Sequence, residues 1–321
     1  GMATPDSGTA DSGSDEPELP DASELDVGPN VPVPTFEPPI ATWESRAPMP
    51  VGRRGAGAAT HGSNAYIVGG VQATAAAIYS VTNDTWALGA DMPQARYWAG
   101  VGSINGPVYV VGGRVAQTDG HQSLGTTIRY NPADDSWKQS ISAPDAGCCG
   151  AAVVVADRLY LTGGRNGSAL VHSLDPAQGV WLHHANMPLG RSRHAAAALD
   201  TAIVVVGGLT GDDDGTHVTG VAIYETTTDE WTEAPEAPFE RTDLAVAAHQ
   251  GLIWVLGGRD TVGEATAEVW ALDPGIGWGA AVPMPFARAD HTALSADQAV
   301  LVLGGEDPSG ALPLAVDAMI L

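Results

Sequence analysis

The sequence predicts an all-β fold built from six copies of one short unit. Six Gly-Gly pairs recur along the 321-residue chain, and successive pairs are 43, 51, 44, 50 and 47 residues apart. Each pair follows an apolar run of strand length, and a repeat of this period is typical of units that bury their apolar faces only against neighbouring copies. The pairs are Gly69-Gly70, Gly112-Gly113, Gly163-Gly164, Gly207-Gly208, Gly257-Gly258 and Gly304-Gly305.

Within each unit, the predicted strands follow one order. The runs before the glycine pairs (66–68, 108–111, 159–162, 203–206, 253–256 and 300–303) are bounded and rich in β-branched residues, as strands are. The glycines then permit a turn with positive φ and a close approach of backbones. Further on, an aromatic residue and a tryptophan seven positions later recur as Tyr79 and Trp86, Tyr130 and Trp137, and Tyr224 and Trp231. In the third and fifth units, Leu174 precedes Trp181 and Leu272 precedes Trp278.

This combination of glycine pair, aromatic residue and tryptophan resembles the kelch repeat over residues 41–321. The resemblance implies a six-bladed kelch-type β-propeller of four-stranded blades. The last unit has no tryptophan-bearing fourth strand, yet residues 41–45 followed by Pro48 are similar to residues 229–233 followed by Pro235. We therefore expect the N-terminal strand to complete the last blade and to close the ring.

The first 40 residues differ in composition from the rest. They contain nine acidic residues, no lysine or arginine, and many prolines and serines, so residues 1–40 are predicted to be a disordered leader or linker. No apolar stretch is long enough to span a membrane, so no direct membrane insertion is expected. An acidic tether would suit an extracytoplasmic domain that is periplasmic, secreted or anchored at the surface, and a cytoplasmic protein is the alternative.

The charge balance narrows the range of partners. The chain has 38 acidic residues against 14 basic ones and a formal net charge of -24. Such a surface repels nucleic acid and anionic membranes, so neither is expected as a partner.

The few arginines recur at fixed offsets from the glycine pairs. Sixteen residues before each pair, five of six units carry arginine: Arg53, Arg96, Arg191, Arg241 and Arg288, with Gly147 in the third unit. One residue after the pair stand Arg114, Arg165 and Arg259, and Glu306 in the last unit. In a kelch-like blade both loops open on one face, so these residues, with Arg54 and Arg193, are predicted to surround the channel mouth. Such a mouth would attract an anionic small molecule, an acidic glycan or an acidic peptide.

Alternatives remain open for these residues. Each arginine alone can instead bond backbone carbonyls or pair with a neighbouring acid and so serve the fold. Tyr97 and Trp98 follow Arg96 and suit either a wall of the binding site or the core. His194 and His291 are too few to indicate a metal, so no metal site and no cofactor are predicted.

Cys148 and Cys149 are the only cysteines and are adjacent. They form either two reduced, partly buried thiols or one vicinal bridge, and the glycines on both sides would ease the geometry of a bridge. Adjacent Cα atoms are about 3.8 Å apart, below the usual disulfide range of roughly 4.4 to 6.8 Å, so such a bridge would be easily reduced.

Two classes of function follow. The chain lacks a nucleophile elbow, a phosphate-binding glycine loop and a zinc-binding helix motif, which favours a binding module. Kelch-related enzymes include galactose oxidase-like copper proteins, whose seventh blade and copper ligands have no counterpart here. A similar six-bladed enzyme is the N-acetylneuraminate epimerase, a sialic acid mutarotase, and that resemblance implies an enzyme of acidic sugars. By position, its arginines and glutamate would correspond to Arg53, Arg191, Arg241 and Glu306.

Overall fold

The structure, a computed structural model, describes residue 1 and residues 36–71, 73–118, 120–144, 147–212 and 214–321. Most of the predicted leader, residues 1–40, therefore lies outside the described residues. Within the described part of the chain, no helix is long and apolar enough to cross a bilayer. The regular elements of the described propeller are all β-strands, apart from one short 3-10 turn at Arg165–Gly167.

Six four-stranded antiparallel sheets form the blades. The first strand of the chain, β1 (Thr42–Arg46), belongs to the last blade. Blade 1 contains β2 (Ala56–His61), β3 (Asn64–Gly69), β4 (Ala75–Ser80) and β5 (Thr85–Asp91). Blade 2 begins with β6 (Gly100–Ser103) and β7 (Val108–Val111), carries a separate hairpin of β8 (Arg114–Gln117) and β9 (Gly120–Ser123), and ends with β10 (Thr127–Asn131) and β11 (Ser136–Gln139).

The other blades repeat the pattern. Blade 3 contains β12 (Ala151–Val155), β13 (Arg158–Thr162), β14 (Val171–Asp175) and β15 (Val180–His183). Blade 4 contains β16 (Ala195–Leu199), β17 (Ala202–Val206), β18 (Val221–Glu225) and β19 (Glu230–Ala234). Blade 5 contains β20 (Ala245–His249), β21 (Leu252–Leu256), β22 (Val269–Asp273) and β23 (Gly277–Ala281). Blade 6 contains β24 (Ala289–Ala296), β25 (Ala299–Glu306) and β26 (Val316–Ile320).

The ring closes as the sequence predicts. Strand β1 pairs with β26, from Thr42 opposite Ile320 to Arg46 opposite Val316, and so supplies the fourth strand of blade 6. The innermost strands (β2, β6, β12, β16, β20 and β24) each contact the innermost strands of both neighbouring blades. Because the first and last strands share one sheet, all six blades have four strands.

The glycine pairs dock each blade onto the next. Gly69 has a φ of +74°, and a Cβ placed there would lie 2.5 Å from the carbonyl oxygen of Arg96, so a side chain does not fit. The N–H of Gly70 then donates to that same carbonyl over 2.9 Å. The second glycine of every pair makes the equivalent bond to the following blade, with acceptors on Arg96, Gly147, Arg191, Arg241, Arg288 and Arg53. The repeated pairs are thus contacts between blades.

The repeated tryptophans join the blades at their outer edges. Trp86 donates its indole N–H to the carbonyl of Ala47 over 2.8 Å, while Asp84 accepts both the Ala47 N–H and the Tyr79 hydroxyl, each at 2.7 Å. The same arrangement recurs at Trp137 and Trp231. Trp181 and Trp278 keep the indole bond although leucine replaces the tyrosine before them. The apolar core is correspondingly divided into clusters within and between adjacent blades.

Candidate functional site

The five arginines that stand sixteen residues before a glycine pair do not line the mouth. Their exposed fractions lie between 0% and 4%. The prediction that these side chains surround the channel mouth is therefore wrong. Each donates from Nη1 to the carbonyl of the first glycine of its own blade, at distances from 2.9 to 3.4 Å. The residues are Arg53, Arg96, Arg191, Arg241 and Arg288. They belong to the contact between blades, which agrees with the alternative that these arginines bond backbone carbonyls or neighbouring acids and serve the fold.

The partners of these buried arginines differ. The Arg53 guanidinium also donates to the Ala75 carbonyl over 2.6 Å, and burial lowers the pKa of Arg53 to about 10. Burial likewise lowers the pKa of Arg191 to about 10. Arg241 pairs with Glu268, and Arg288 pairs with the buried Asp317. All five guanidinium groups remain charged near neutral pH and are occupied inside the protein.

The mouth itself is formed by the residue fourteen positions before each glycine pair. These six residues differ from blade to blade: Gly55, Trp98, Cys149, Arg193, Asp243 and Asp290. Each one donates its backbone N–H to the carbonyl of the equivalent residue in the preceding blade, at distances from 2.7 to 3.2 Å. The N–H of Gly55 donates to the Asp290 carbonyl and completes the circle. We call this closed circle of six backbone hydrogen bonds the mouth ring.

All six residues of the mouth ring have a left-handed backbone, with φ between +52° and +72°. Such a conformation is uncommon for residues other than glycine and persists where surrounding structure enforces it. Here the ring of hydrogen bonds enforces it, because every N–H and carbonyl must point along the circle. The side chains are therefore held at fixed directions around the channel.

A cavity of about 200 Å³ lies inside the mouth ring. The mouth-ring residues line its opening, and mainly glycine and alanine of the six inner strands line its depth. This volume is below the roughly 300 to 1,000 Å³ of typical drug-sized sites, so it suits a small molecule or one protruding group of a larger ligand.

Arginines and carboxylates alternate on one side of the mouth. Arg193 holds Asp243 through Nε, at 2.9 Å, and through Nη2. Arg259 lies 3.4 to 3.7 Å from Glu306, Asp290 and Asp243 and so faces all three carboxylates. The predicted positions one residue after the glycine pair, Arg259 and Glu306, thus do reach the mouth.

A further arginine completes this network. Arg54 pairs with Glu306, and its side chain is 42% exposed. Together these residues set three cations against three anions, so the mouth is more balanced in charge than the sequence suggested. Arg54, Arg193 and Arg259 are nevertheless the guanidinium groups that a ligand at this side of the mouth would meet.

Asp290 is the carboxylate whose protonation the surroundings favour. Burial, followed by the nearby charge of Asp243, raises its pKa to about 6 against the opposing effects of the Trp98 N–H, Arg259 and Arg193. Arg193 contacts both oxygens of the neighbouring Asp243. A buried carboxyl group beside another carboxylate, as Asp290 is, can exchange a proton near pH 6.

Aromatic side chains form another part of the mouth. The Trp98 indole lies against Gly55 and donates to Asp290 Oδ1 over 2.7 Å. The Arg114 guanidinium lies 5.5 Å from the centre of the Trp98 ring, within cation–π range. Tyr97 is buried, packs edge-on against Trp98, and contacts His121 of the β8–β9 hairpin. Trp98 is therefore a wall of the cavity, whereas Tyr97 supports it.

The third blade contributes a disulfide. Cys148 and Cys149 are joined as a vicinal bridge, which settles the alternatives left open by the sequence in favour of the bridge. Arg165, which is exposed, donates its backbone N–H to the Cys148 carbonyl over 3.0 Å. The disulfide therefore lies in the one blade that has no arginine sixteen residues before its glycine pair.

His194 and His291 lie below the mouth ring and are buried. Burial, with smaller effects of Arg191 and Arg288, lowers the pKa of each to about 3, so both imidazoles are neutral. His194 Nε2 contacts the Thr162 hydroxyl at 2.9 Å. Across the described residues, no three His, Cys, Asp or Glu side chains are grouped as metal ligands would be.

Sequence reasoning missed the mouth ring, in particular Asp243 and Asp290 as site residues. These residues do recur at a fixed position in the sequence, fourteen residues before each glycine pair, but the six side chains there have no chemical property in common. Only their common backbone geometry and their hydrogen-bonded circle reveal them as equivalent positions.

Comparisons with known proteins agree with this architecture. Kelch-like protein 35 of Mus musculus is 30% identical over 173 residues, which are 53% of this chain and 29% of that protein. Alpha-scruin of Limulus polyphemus is 29% identical over 143 residues, 41% of this chain and 15% of that protein, so this chain spans only a minor part of either relative.

A solved structure, that of YjhT, superposes with a TM-score of 0.75 and covers 85% of this chain and 95% of that one. The identity of 18% means that this likeness shows the fold alone. A family model described as the KLHDC2/KLHL20/DRC7 Kelch-repeats domain matches residues 99–305, more than half of the chain. The chain belongs to this family of kelch-repeat propellers.

Proposed function

We propose that the protein is a binding module that takes a carboxylate-bearing ligand, such as an acidic glycan or an acidic peptide, at the channel mouth. The observation that carries the proposal is the placement of Glu306, whose carboxylate faces both Arg54 and Arg259. The chain's own side chain thus occupies the kind of position that a ligand carboxylate would take.

The geometry lets a ligand compete for these arginines. Arg54 is substantially exposed, and exposed ion pairs contribute little to stability, about 0 to 1 kcal/mol, so exchanging one carboxylate for another costs little. The Trp98 indole offers a flat apolar wall beside these charges, which suits a sugar face or a peptide side chain. The acidic composition of residues 1–40 supports an extracytoplasmic location as part of the same proposal.

The experiment is a thermal-shift screen with sialic acid, uronic acids, sulfated glycans and glutamate-rich peptides, followed by calorimetry at low and high salt. Because the Arg54 side chain is 42% exposed, loss of its charge-assisted contact in Arg54→Ala should weaken binding by about 0.2 to 1 kcal/mol. Arg129→Ala, an exposed arginine on β10, is the matched control and should leave binding unchanged.

Glu306→Gln sharpens the same experiment. Because it removes a competing negative charge, it should preserve or increase affinity for the anion. Unchanged affinity in both Arg54→Ala and Arg259→Ala would contradict binding at the mouth.

A second candidate is a mutarotase acting on an acidic sugar, and Asp290 is the observation that favours it. A carboxyl group that titrates near pH 6 inside the cavity can give or take a proton at a sugar hydroxyl or ring oxygen. The sugars of the same screen test this candidate, since catalysed exchange between anomers is visible by NMR. If the anomers exchanged at the same rate as in the protein-free solution, the mutarotase function would be ruled out.

A further inference from the structure

The Cys148–Cys149 bridge has no part in the proposed anion site, yet it lies in the mouth. Disulfides stabilise chiefly by closing a loop of the unfolded chain, and the benefit grows with loop length. This bridge joins adjacent residues and closes the shortest loop a chain can form. A role as a stabilising cross-link is therefore a poor explanation for it.

The position of the bridge links it to the mouth ring. The Cys149 N–H donates to the Trp98 carbonyl over 3.2 Å, and the Cys149 carbonyl accepts the Arg193 N–H over 2.7 Å. Cys149 has a φ of +72°, so its backbone is held in a conformation that a non-glycine residue seldom adopts. Cys149 is therefore the residue through which the bridge is hydrogen-bonded to Trp98 and Arg193 in the mouth ring.

The two sulfur-bearing residues differ in access. Cys149 is partly exposed and lines the 200 Å³ cavity. Cys148 is 3% exposed and lines a separate cavity of about 70 Å³ that also includes Arg165. A molecule that enters through the channel mouth meets Cys149 first.

We propose that the Cys148–Cys149 bridge is a thiol–disulfide exchange site that reacts with a small thiol at Cys149 and loosens the mouth ring when it opens. The adjacent Cα atoms, 3.8 Å apart, are closer than in ordinary disulfides, and bridges outside the usual geometry are more readily reduced. A small thiol reaches Cys149 through the channel, and opening of the bridge then weakens the hydrogen bonds that Cys149 makes in the mouth ring.

The exchange between a small thiol and the Cys148–Cys149 bridge needs no cofactor. The thiolate of the small thiol attacks Cys149 Sγ, the bond between the two cysteine sulfurs breaks, and its electron pair leaves on Cys148 Sγ, which takes up a proton. A second small thiol then attacks the mixed disulfide. The small thiol is oxidised to its own disulfide, and Cys148 and Cys149 are reduced to two thiols.

The first experiment identifies the sulfur that reacts. Cys148→Ser and Cys149→Ser each keep one thiol, and both are incubated, folded, with oxidised glutathione and followed by intact mass. The mixed disulfide should form at least about tenfold faster in Cys148→Ser, which keeps the accessible Cys149, than in Cys149→Ser. Equal rates, or a faster reaction at Cys148, would overturn the assignment.

The second experiment uses the wild-type protein and does not depend on the variants. It is equilibrated with mixtures of reduced and oxidised glutathione that range from mostly oxidised to mostly reduced and so cover the redox conditions of cellular compartments. Quenching and alkylation then count the free thiols. We expect two labelled cysteines at the reducing end, and a bridge that stays closed throughout would refute the proposal.

Hydrogen exchange on the same samples tests the effect on the mouth ring. Reduction should speed exchange of the Cys149 and Arg193 amides by about tenfold or more, because local opening becomes easier there. The Asp243 and Asp290 amides, in the same ring but away from the bridge, serve as the internal control. Unchanged exchange at Cys149 and Arg193 after complete reduction would show that the bridge does not act on the ring.

Discussion

Arg53 and Arg54 are neighbours in the chain and have opposite roles. The Arg53 guanidinium is buried and bonded to two backbone carbonyls, whereas the Arg54 side chain is 42% exposed and pairs with Glu306 at the mouth. The chain bends at Arg54, so the Arg53 side chain enters the contact between blades while the Arg54 side chain faces the mouth. Residue type alone therefore says little about function in this loop.

The comparison extends to all six blades. Sixteen residues before the glycine pair, five of the six blades carry an arginine that donates to the carbonyl of the first glycine, and this recurrence indicates a role in the fold. Fourteen residues before the glycine pair, all blades share a left-handed backbone and the same ring of hydrogen bonds, while the side chains differ. In this propeller, the repeated positions hold the blades together, and the varied position around the mouth ring is where the proposed ligand would be distinguished.

The largest expected effect comes from the most buried arginine. Arg288→Met leaves Asp317 as a buried charge without its partner and should lower the free energy of unfolding by about 3 to 5 kcal/mol. Urea denaturation measures it, with ligand binding at the mouth as a second readout. Because an apolar pair can replace a buried ion pair, Arg288→Met with Asp317→Leu should recover part of the loss. A destabilisation below 1 kcal/mol in the single variant would contradict the structural role.

Substitution of the adjacent residues Arg53 and Arg54 should change the free energy of unfolding by different amounts. Arg53→Met leaves the Gly69 and Ala75 carbonyls without their donor and should cost about 1 to 3 kcal/mol of unfolding free energy. Arg54→Met removes an exposed ion pair and should cost about 0 to 1 kcal/mol. Denaturation of the two variants side by side measures the difference. Equal losses of unfolding free energy in the two variants would contradict the distinction between arginines that hold the blades together and arginines at the mouth.

The smallest effect is a pH dependence that arises at the mouth. The pKa of Asp290 is raised from 3.8 to about 6, so between these values the folded protein binds a proton that the unfolded chain has released. Stability should accordingly fall as the pH rises from about 4 to 6, with a slope of at most about 1.4 kcal/mol per pH unit for one proton. Asp290→Asn should remove this component from denaturation curves measured across the window. An identical slope in the variant would place the titration elsewhere.

Much of the fold could be predicted from the sequence, since it follows from local and repeated signals. The glycine pairs, the strand runs and the Trp43 segment at the N-terminus predicted six blades and the closure through β1, and the structure confirms both. The site was predicted less well. The side chains of Arg53, Arg96, Arg191, Arg241 and Arg288 were expected at the mouth, but they fill the contacts between blades.

The sequence by itself determined the number of blades, the way the ring closes and the arginine content of the loops, because these depend on spacing and residue type. Only the tertiary structure decided which arginines lie at the mouth, which carboxyl group has a raised pKa, and that one ring is formed by Gly55, Trp98, Cys149, Arg193, Asp243 and Asp290. The physical reason is that burial, charge pairing and the closing of a circle depend on residues brought together from six distant segments. No one of those segments contains that information.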